Sequence, residues 1–406
     1  MKNPKLDNKL FGLERNIFFT GLTSFLTDTS TKMVYSVMSL FLVSIGASKS
    51  IVGLIEGIAE STASVLKAMS GFWSDKIGRN KPFMLIGYIM TALVTPIYAV
   101  TVAPIQILLL RFTERVGKGI RTAPRDSLIA GSSPSKNTGK SFGFHKAMDN
   151  CGAIVGPLLA FLILYMFGQK GKQIDPHICR IIFVLAAIPA VLGVLNIAFF
   201  IREAKKSKEE IPQEISLKSF SKRFYIFLAI VFVFTLGNSA DTFLLLRAND
   251  IGFTAGNIPL VYLLFNACSV IFAVPAGILS DKIGRERLIV FGYVIYAIVY
   301  FGFGGSNVKA VMLLLLVLYG LYSAATDGVQ KALVSDLVDK DKRGTGMGIY
   351  NSILGITLLP ASLIAGVLYD NVSSSAPFYF GGATAIVAAV LMAIFYIKRP
   401  RPGIAE

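Results

Sequence analysis

The chain has 406 residues, 54% of them hydrophobic and 16% charged, with a formal net charge of +16. Soluble globular proteins carry about 25% charged residues, so a soluble enzyme is not the reading this composition supports, and the basic excess needs an explanation other than nucleic acid. The apolar residues gather in twelve runs long enough to cross a bilayer as helices, without the short alternation of barrel strands.

Those runs predict spans at 17–45, 51–73, 82–102, 104–131, 141–167 and 178–201, then 223–247, 256–279, 288–305, 309–336, 344–370 and 376–397. Basic residues flank them on alternate sides: Lys2, Lys5, Lys9 and Arg15 before the first, Lys76, Arg79 and Lys81 between the second and third, and Lys282, Arg285 and Arg287 between the eighth and ninth. The positive-inside rule therefore places both termini and the polar stretch Arg202–Ser221 in the cytoplasm of a multi-pass inner-membrane protein. That stretch divides the chain into a six-helix bundle at 1–201, a linker at 202–222 and a second six-helix bundle at 223–406. The expected architecture is all-α.

The second span is followed by Ser74-Asp75-Lys76-Ile77-Gly78-Arg79, and the eighth by the same six residues, Ser280 to Arg285. The copies are preceded by Gly71 and Gly277 and offset by 206 residues, so the second half is a parallel repeat of the first. Read as a loop, each copy needs its glycine, Gly78 or Gly284, for a tight turn, while Asp75 and Asp281 are placed to accept hydrogen bonds from a helix end or an Arg.

Two six-helix halves, a central linker and a Gly-x-x-x-Asp-x-x-Gly-Arg element, Gly71 to Arg79 and Gly277 to Arg285, resemble the major facilitator superfamily over essentially the whole chain. The resemblance implies two pseudo-symmetric bundles that rock around a central cavity, with Gly71, Asp75, Gly78, Arg79, Gly277, Asp281, Gly284 and Arg285 acting in the conformational cycle. Asn80 and Glu286 stand where the family usually has a basic residue.

The fourth span carries Arg111, Glu114, Arg115, Lys118, Arg121 and Arg125, and spacing puts Arg111, Arg115, Lys118 and Arg125 on one helical face. Its start resembles the family's fourth-span Arg motif, which is linked to proton coupling. Charges inside a span face a water-filled path or a partner. Arg111, Arg115 and Lys118 are therefore the candidate cavity residues of this span, Arg111 foremost. Arg115 and Lys118 are expected to pair with the chain's own acids, among them Glu114, Asp28 in the first span, Glu56 and Glu60 in the second and Asp149 in the fifth. Arg121 and Arg125 are expected near the cytoplasmic surface. In the fifth span, Gly143, Gly152 and Gly156-Pro157 resemble an antiporter motif, with Ala160 where a final Gly is usual.

In the seventh span Asn238 and Asp241 lie one turn apart, suited to a proton or a polar solute atom at a helix break. The tenth span aligns Tyr319, Tyr322, Ser323, Thr326 and Gln330, with Asp327 and Lys331 spaced as an intrahelical pair. Tyr322, Thr326 and Gln330 are expected to line the cavity, and Tyr319 to lie in an interfacial belt. Asp28, Glu56, Glu114 and Asp241 are the candidate proton carriers.

Cys151, Cys179 and Cys268 read as small buried hydrophobes, and His145 and His177 are too scattered for a metal site. No enzyme constellation, cofactor or nucleotide loop is expected. The function expected is secondary active transport by alternating access, driven by a proton or other ion gradient. The favoured direction is efflux of a small organic solute, with an anionic group as one reading; the rivals are a symporter importing an organic anion and a non-transporting receptor or scaffold. A monomer in a lipid bilayer is expected, with no nucleic-acid partner.

Overall fold

Backbone polar groups in a bilayer must be satisfied within the segment itself, so the long apolar runs fold as helices. The computed structural model describes residues 9–10, 13–133, 138–203, 220–339 and 342–397. After a two-residue antiparallel pairing of Lys9–Leu10 with Leu13–Glu14 come α1 (Arg15–Ser44), α2 (Lys49–Ile77), α3 (Lys81–Ile97), α4 (Pro104–Ser132), α5 (Thr138–Met166) and α6 (Pro176–Phe200). The second series is α7 (Lys222–Gly237), α8 (Thr242–Ile251), α9 (Ile258–Ile283), α10 (Arg285–Gly305), α11 (Lys309–Leu337), α12 (Arg343–Asn371) and α13 (Ala376–Ile397). The protein is all-α.

The seventh predicted span is two helices rather than one, broken over Asn238–Asp241. Counting α7 and α8 together gives twelve helical passes, of which nine among the described residues are long and apolar enough to cross a membrane unaided. The three that fall short are α1, α2 and α4, because Asp28 and Lys32, Glu56 and Glu60, and the Arg111–Asp126 charges interrupt their apolar runs. The repeated hexapeptide is mostly helix rather than loop. α2 and α9 run on to Ile77 and Ile283, and each stops at a glycine with positive φ, +72° at Gly78 and +97° at Gly284. Those two glycines end the helices where a side chain would strain the backbone.

The described residues gather into two compact units, one drawn from Met1–Ala47, Ile58–Ile211 and Phe253–Leu263, the other from Ser48–Gly57, Pro212–Gly252 and Leu264–Glu406. The first turns of α2 group with the second unit and the start of α9 with the first. Most of the 202–222 linker lies outside the described residues.

In the first unit α1 packs on α5 and α6, and α3 on α4 and α6. α3 and α4 cross glycine to glycine: a methyl group on Gly117 would meet the Gly87 carbonyl at 2.7 Å. In the second unit α10 packs on α11 and α13, and α7 on α12 and α13. Its core is aromatic, with Phe234 stacked on Tyr293 at 4.0 Å and Tyr296 on Tyr300 at 3.9 Å. Arg247, in the middle of α8, is buried and donates to the Phe303 carbonyl, Ser374 and Asn307, binding three chain segments together. Leu93, Ile188, Ile271, Val274 and Leu314 are among the large apolar side chains left exposed, as a lipid-facing surface requires.

Candidate functional site

The first unit holds an ionic cluster built on α1, α2 and α4. Arg111 Nη1 lies 3.1 Å from Glu114 Oε2, and Tyr98 donates its hydroxyl to that same oxygen at 2.9 Å. The Arg111 guanidinium also faces the Tyr35 ring, 5.5 Å from its centroid. One turn on, Arg115 Nη2 meets Glu60 Oε1 at 2.8 Å. Lys32 of α1 donates to the Tyr262 hydroxyl at 2.7 Å, with the Tyr35 and Tyr262 rings beside it.

α5 sets the position of α1. A methyl group on Gly152 would sit 2.9 Å from the Asp28 Cβ, and one on Gly156 would sit 3.0 Å from the Lys32 Cβ. These two glycines are therefore close-approach positions, whereas Gly143 faces open space, and Pro157 lies inside α5 without ending it. Asp28 is half-buried and lies within electrostatic reach of Lys32, Lys118, Arg121 and Asp149. Deeper in the packing, the Ser24 hydroxyl and His145 Nε2 are 2.7 Å apart, and His145 Nδ1 is 3.8 Å from Asp149.

Several expectations for α4 change. Arg111 is only 1% exposed and engaged by Glu114 and Tyr35, so it is not an open cationic wall. Arg115 pairs with Glu60 as expected, while Glu56, one turn away and buried, belongs to the other unit. Lys118 is exposed. Arg121 is buried within the protein, donating to the Gly87 carbonyl and Thr91 with its guanidinium 4.3 Å from the Tyr88 centroid. Arg125 pairs with Asp126 at 2.9 Å. Lys32, Tyr35 and Tyr98 were missed. For Lys32 the signal was present, because it follows Asp28 by four residues inside an apolar run, the spacing of an intrahelical pair.

The second unit centres on the α7–α8 break. Tyr319 donates to Asp241 Oδ1 at 2.7 Å, Asn238 Nδ2 donates to Tyr322 Oη at 3.1 Å, and Tyr296 donates to the Gly237 carbonyl at 2.9 Å. Tyr319 is thus a buried partner of Asp241 and not an interfacial belt residue. Thr326 and Gln330 are buried in the packing. Thr326 bonds the Tyr322 carbonyl and packs on Gly292, and Gln330 is bracketed by Tyr293 and Tyr350. Asp327 accepts from Ser323 at 2.8 Å, and Ser323 in turn lies 2.9 Å from Ser269.

At the repeated element, Arg285 reaches Asp281 at 3.8 Å and also pairs with Asp336. These groups, with Arg223 and Glu286, line a cavity of about 520 Å³. Gly277 faces open space. In the first copy Gly78 and Arg79 are exposed, and the surroundings of Gly71 and Asp75 lie outside the described residues. Cys179 is buried, but Cys151 is exposed and Cys268 half-buried, so the expectation for the cysteines holds for one of them.

The sequence matches the Major Facilitator Superfamily model over residues 20–247 and again over 226–406. An uncharacterised MFS-type transporter of Methanocaldococcus jannaschii is 34% identical over 397 residues, covering 96% of each chain. The quinolone resistance protein NorA of Staphylococcus aureus is 26% identical over 152 residues, 37% of this chain and 39% of its own. A solved POT family transporter in complex with a thioalcohol-conjugated peptide superposes with a TM-score of 0.79 at 13% identity, covering 96% of this chain and 98% of that one, a likeness of fold alone. With the two-fold repeat, the twelve helical passes and these matches together, the chain belongs to the Major Facilitator Superfamily, a family of multi-pass membrane transporters.

Proposed function

We propose that the protein couples a proton gradient to the export of a small organic solute across the inner membrane, its two bundles alternating access and both termini in the cytoplasm. One observation carries the coupling. Asp28 sits in mid-α1, held against α5 at Gly152, among Lys32, Lys118, Arg121 and the second carboxylate of Asp149. A carboxylate whose charge balance depends on how tightly two helices approach is a natural proton carrier, because separating them changes both its hydration and its neighbours. The Gly152/Gly156 close approach and the partial similarity to a resistance protein favour export.

Import of an organic anion keeps one supporting observation, the exposed Lys118. The remaining cations of α4 give it little help, since Arg111, Arg115 and Arg125 already face Glu114, Glu60 and Asp126. The test is flux in everted vesicles with an imposed pH gradient, using a solute chosen by thermal stabilisation of the purified protein. Gradient-dependent accumulation inside everted vesicles supports export. Accumulation in right-side-out vesicles under an inward proton gradient would overturn it in favour of symport.

A further inference from the structure

We infer that Asp149 shares the coupling proton with Asp28, and that the buried His145 ring positions it by exchanging which nitrogen carries the ring proton. The inference rests on the proton-coupled reading of the chain, and it names the second carboxylate and the group that serves it.

Three observations converge. First, α1 and α5 are packed tightly on both sides of these groups. A methyl group on Gly21 would meet the Phe144 ring at 2.6 Å, and one on Gly156 would sit 3.0 Å from the Lys32 Cβ. Between those contacts Ser24 and Asp28, one turn apart on α1, lie opposite His145 and Asp149, one turn apart on α5. Second, His145 is only 4% exposed and meets a polar group at each nitrogen. Nε2 is 2.7 Å from Ser24 Oγ, and Nδ1 is 3.8 Å from Asp149 Oδ2. The longer gap exceeds a hydrogen bond by about 1 Å, and rotation of the half-buried Asp149 side chain closes it. Third, Ser24 commits its hydroxyl to the ring. Thr20 and Thr29 of the same helix turn theirs back to the Asn16 and Phe25 carbonyls, whereas Ser24 reaches across to α5. A hydroxyl both donates and accepts, so it satisfies Nε2 whether or not that nitrogen bears the ring proton.

A neutral imidazole is a donor at one nitrogen and an acceptor at the other. With Asp149 ionised, Nδ1–H donates to its carboxylate and Ser24 donates to Nε2. With Asp149 protonated, the carboxyl donates to Nδ1 and Nε2–H donates to Ser24. Between the two forms one proton leaves the Asp28 carboxyl and one arrives on Asp149. The ring keeps a single proton throughout and moves it from Nδ1 to Nε2. Around the ring stand Asp28 from α1, Arg125 and Asp126 from α4, and Lys146 from α5; Lys32, Lys118 and Arg121 stand around Asp28. Arg125 and Asp126 are paired with each other at 2.9 Å, which leaves Asp149 as the carboxylate at ion-pair distance from the ring.

The experiment follows the ring nitrogens of the purified full chain by NMR with nitrogen-15-labelled histidine, because their shifts separate the two neutral tautomers from the imidazolium. The chain has 2 histidines, and His177, exposed at the start of α6, serves as an internal reference that protonates in the ordinary way. His145→Gln assigns the two sets of signals. From about pH 9 to about pH 5 the His145 ring is expected to pass from Nδ1–H to Nε2–H without becoming an imidazolium. Asp149→Asn, which cannot titrate, should hold one tautomer at every pH. Asp28→Asn should move the midpoint of the exchange by about one pH unit or more, the scale of two interacting sites. The parent and Asp28→Asn decide the matter if Asp149→Asn does not fold. The proposal is overturned if the parent keeps one tautomer throughout, if His145 protonates alongside His177, or if Asp28→Asn leaves the midpoint in place. A fixed tautomer together with gradient-driven flux removes this site but leaves the coupling reading standing. Tautomer exchange that depends on Asp28, without gradient-driven flux, keeps the shared proton and removes the coupling reading instead.

Discussion

Asp28 of α1 rests directly on Gly152 of α5, and one turn along Lys32 rests on Gly156. The acid–base pair of one helix is thus matched to the glycine pair of the other, at the same four-residue spacing. Small residues let membrane helices approach closely where no hydrophobic force drives them together. Here that closeness also sets the surroundings of a charged group, so packing and electrostatics are fixed by the same two glycines.

The first prediction follows from that contact. In Gly152→Ala the new methyl group would meet the Phe25 carbonyl oxygen at 2.6 Å and the Thr29 nitrogen at 3.0 Å, backbone atoms that cannot rotate aside. Overpacking of this kind costs about 1–3 kcal/mol. Gly143→Ala enters open space and gains helix propensity of up to about 1 kcal/mol. Thermal unfolding in detergent should show a clear loss for the first and none for the second. Equal shifts would mean that the motif acts through backbone flexibility and not through close approach.

A second contrast lies on α4. Glu114 is buried and shared by Arg111 and Tyr98, so Glu114→Gln removes the negative charge from a buried ion pair, a loss of about 3–5 kcal/mol. The Glu60 side chain is 33% exposed, and solvent screening holds the cost of Glu60→Gln to about 1 kcal/mol or less. Unfolding midpoints of the two variants should differ in that order. If Glu60→Gln proved the more damaging, Arg115 and not Arg111 would be the cation that depends on its partner.

How far these features were legible from sequence varied with their range. Helix boundaries came from apolar run length, a local property, and α13 matches its predicted limits, 376–397. The α7–α8 break was marked by Gly237, Asn238 and Asp241, residues that favour leaving a helix. The bonding of individual side chains was less legible because it depends on which helix lies opposite. Arg111 and Lys118 share a helical face by spacing, yet one is buried against Glu114 and the other exposed. Tyr319 looked interfacial because a tyrosine near a span end usually is, and only the break in α7 supplies the Asp241 that buries it. Periodicity shows which residues share a face, but not what that face meets.

The coupling proposal predicts a separation of functions in Asp28→Asn. A neutral amide cannot cycle a proton, so pH-gradient-driven flux in proteoliposomes should fall by about tenfold or more, the scale of losing a positioned proton carrier. Solute exchange at equal pH, which needs no net proton movement, should persist. Gradient-driven flux at the parental rate would remove Asp28 from the coupling role and leave Glu56, Glu114 and Asp241 to be examined in the same way.

The last prediction concerns how α2 begins. Asp370, at the end of α12, accepts from the Lys49 nitrogen at 3.0 Å and from the nitrogen and hydroxyl of Ser50 at 2.7 Å each, which makes it a helix cap supplied from a distant part of the sequence. The cap is backed by close packing. A methyl group on Gly366 would meet the Lys49 carbonyl at 2.6 Å, and one on Gly57 would meet the Leu359 Cα at 2.9 Å. The first turns of α2 accordingly group with α12, while its remainder groups with the first unit. Removing a capping carboxylate costs about 0.5–2 kcal/mol, which corresponds to roughly 2- to 30-fold faster local opening. Hydrogen exchange in Asp370→Ala should therefore accelerate by that factor in residues 49–53 and stay unchanged in the second half of α2. Asp370→Asn, which keeps an acceptor oxygen, should accelerate less. If exchange rose along the whole of α2, the carboxylate would be holding the helix as one body, and the division of α2 at Gly57 would have no energetic counterpart.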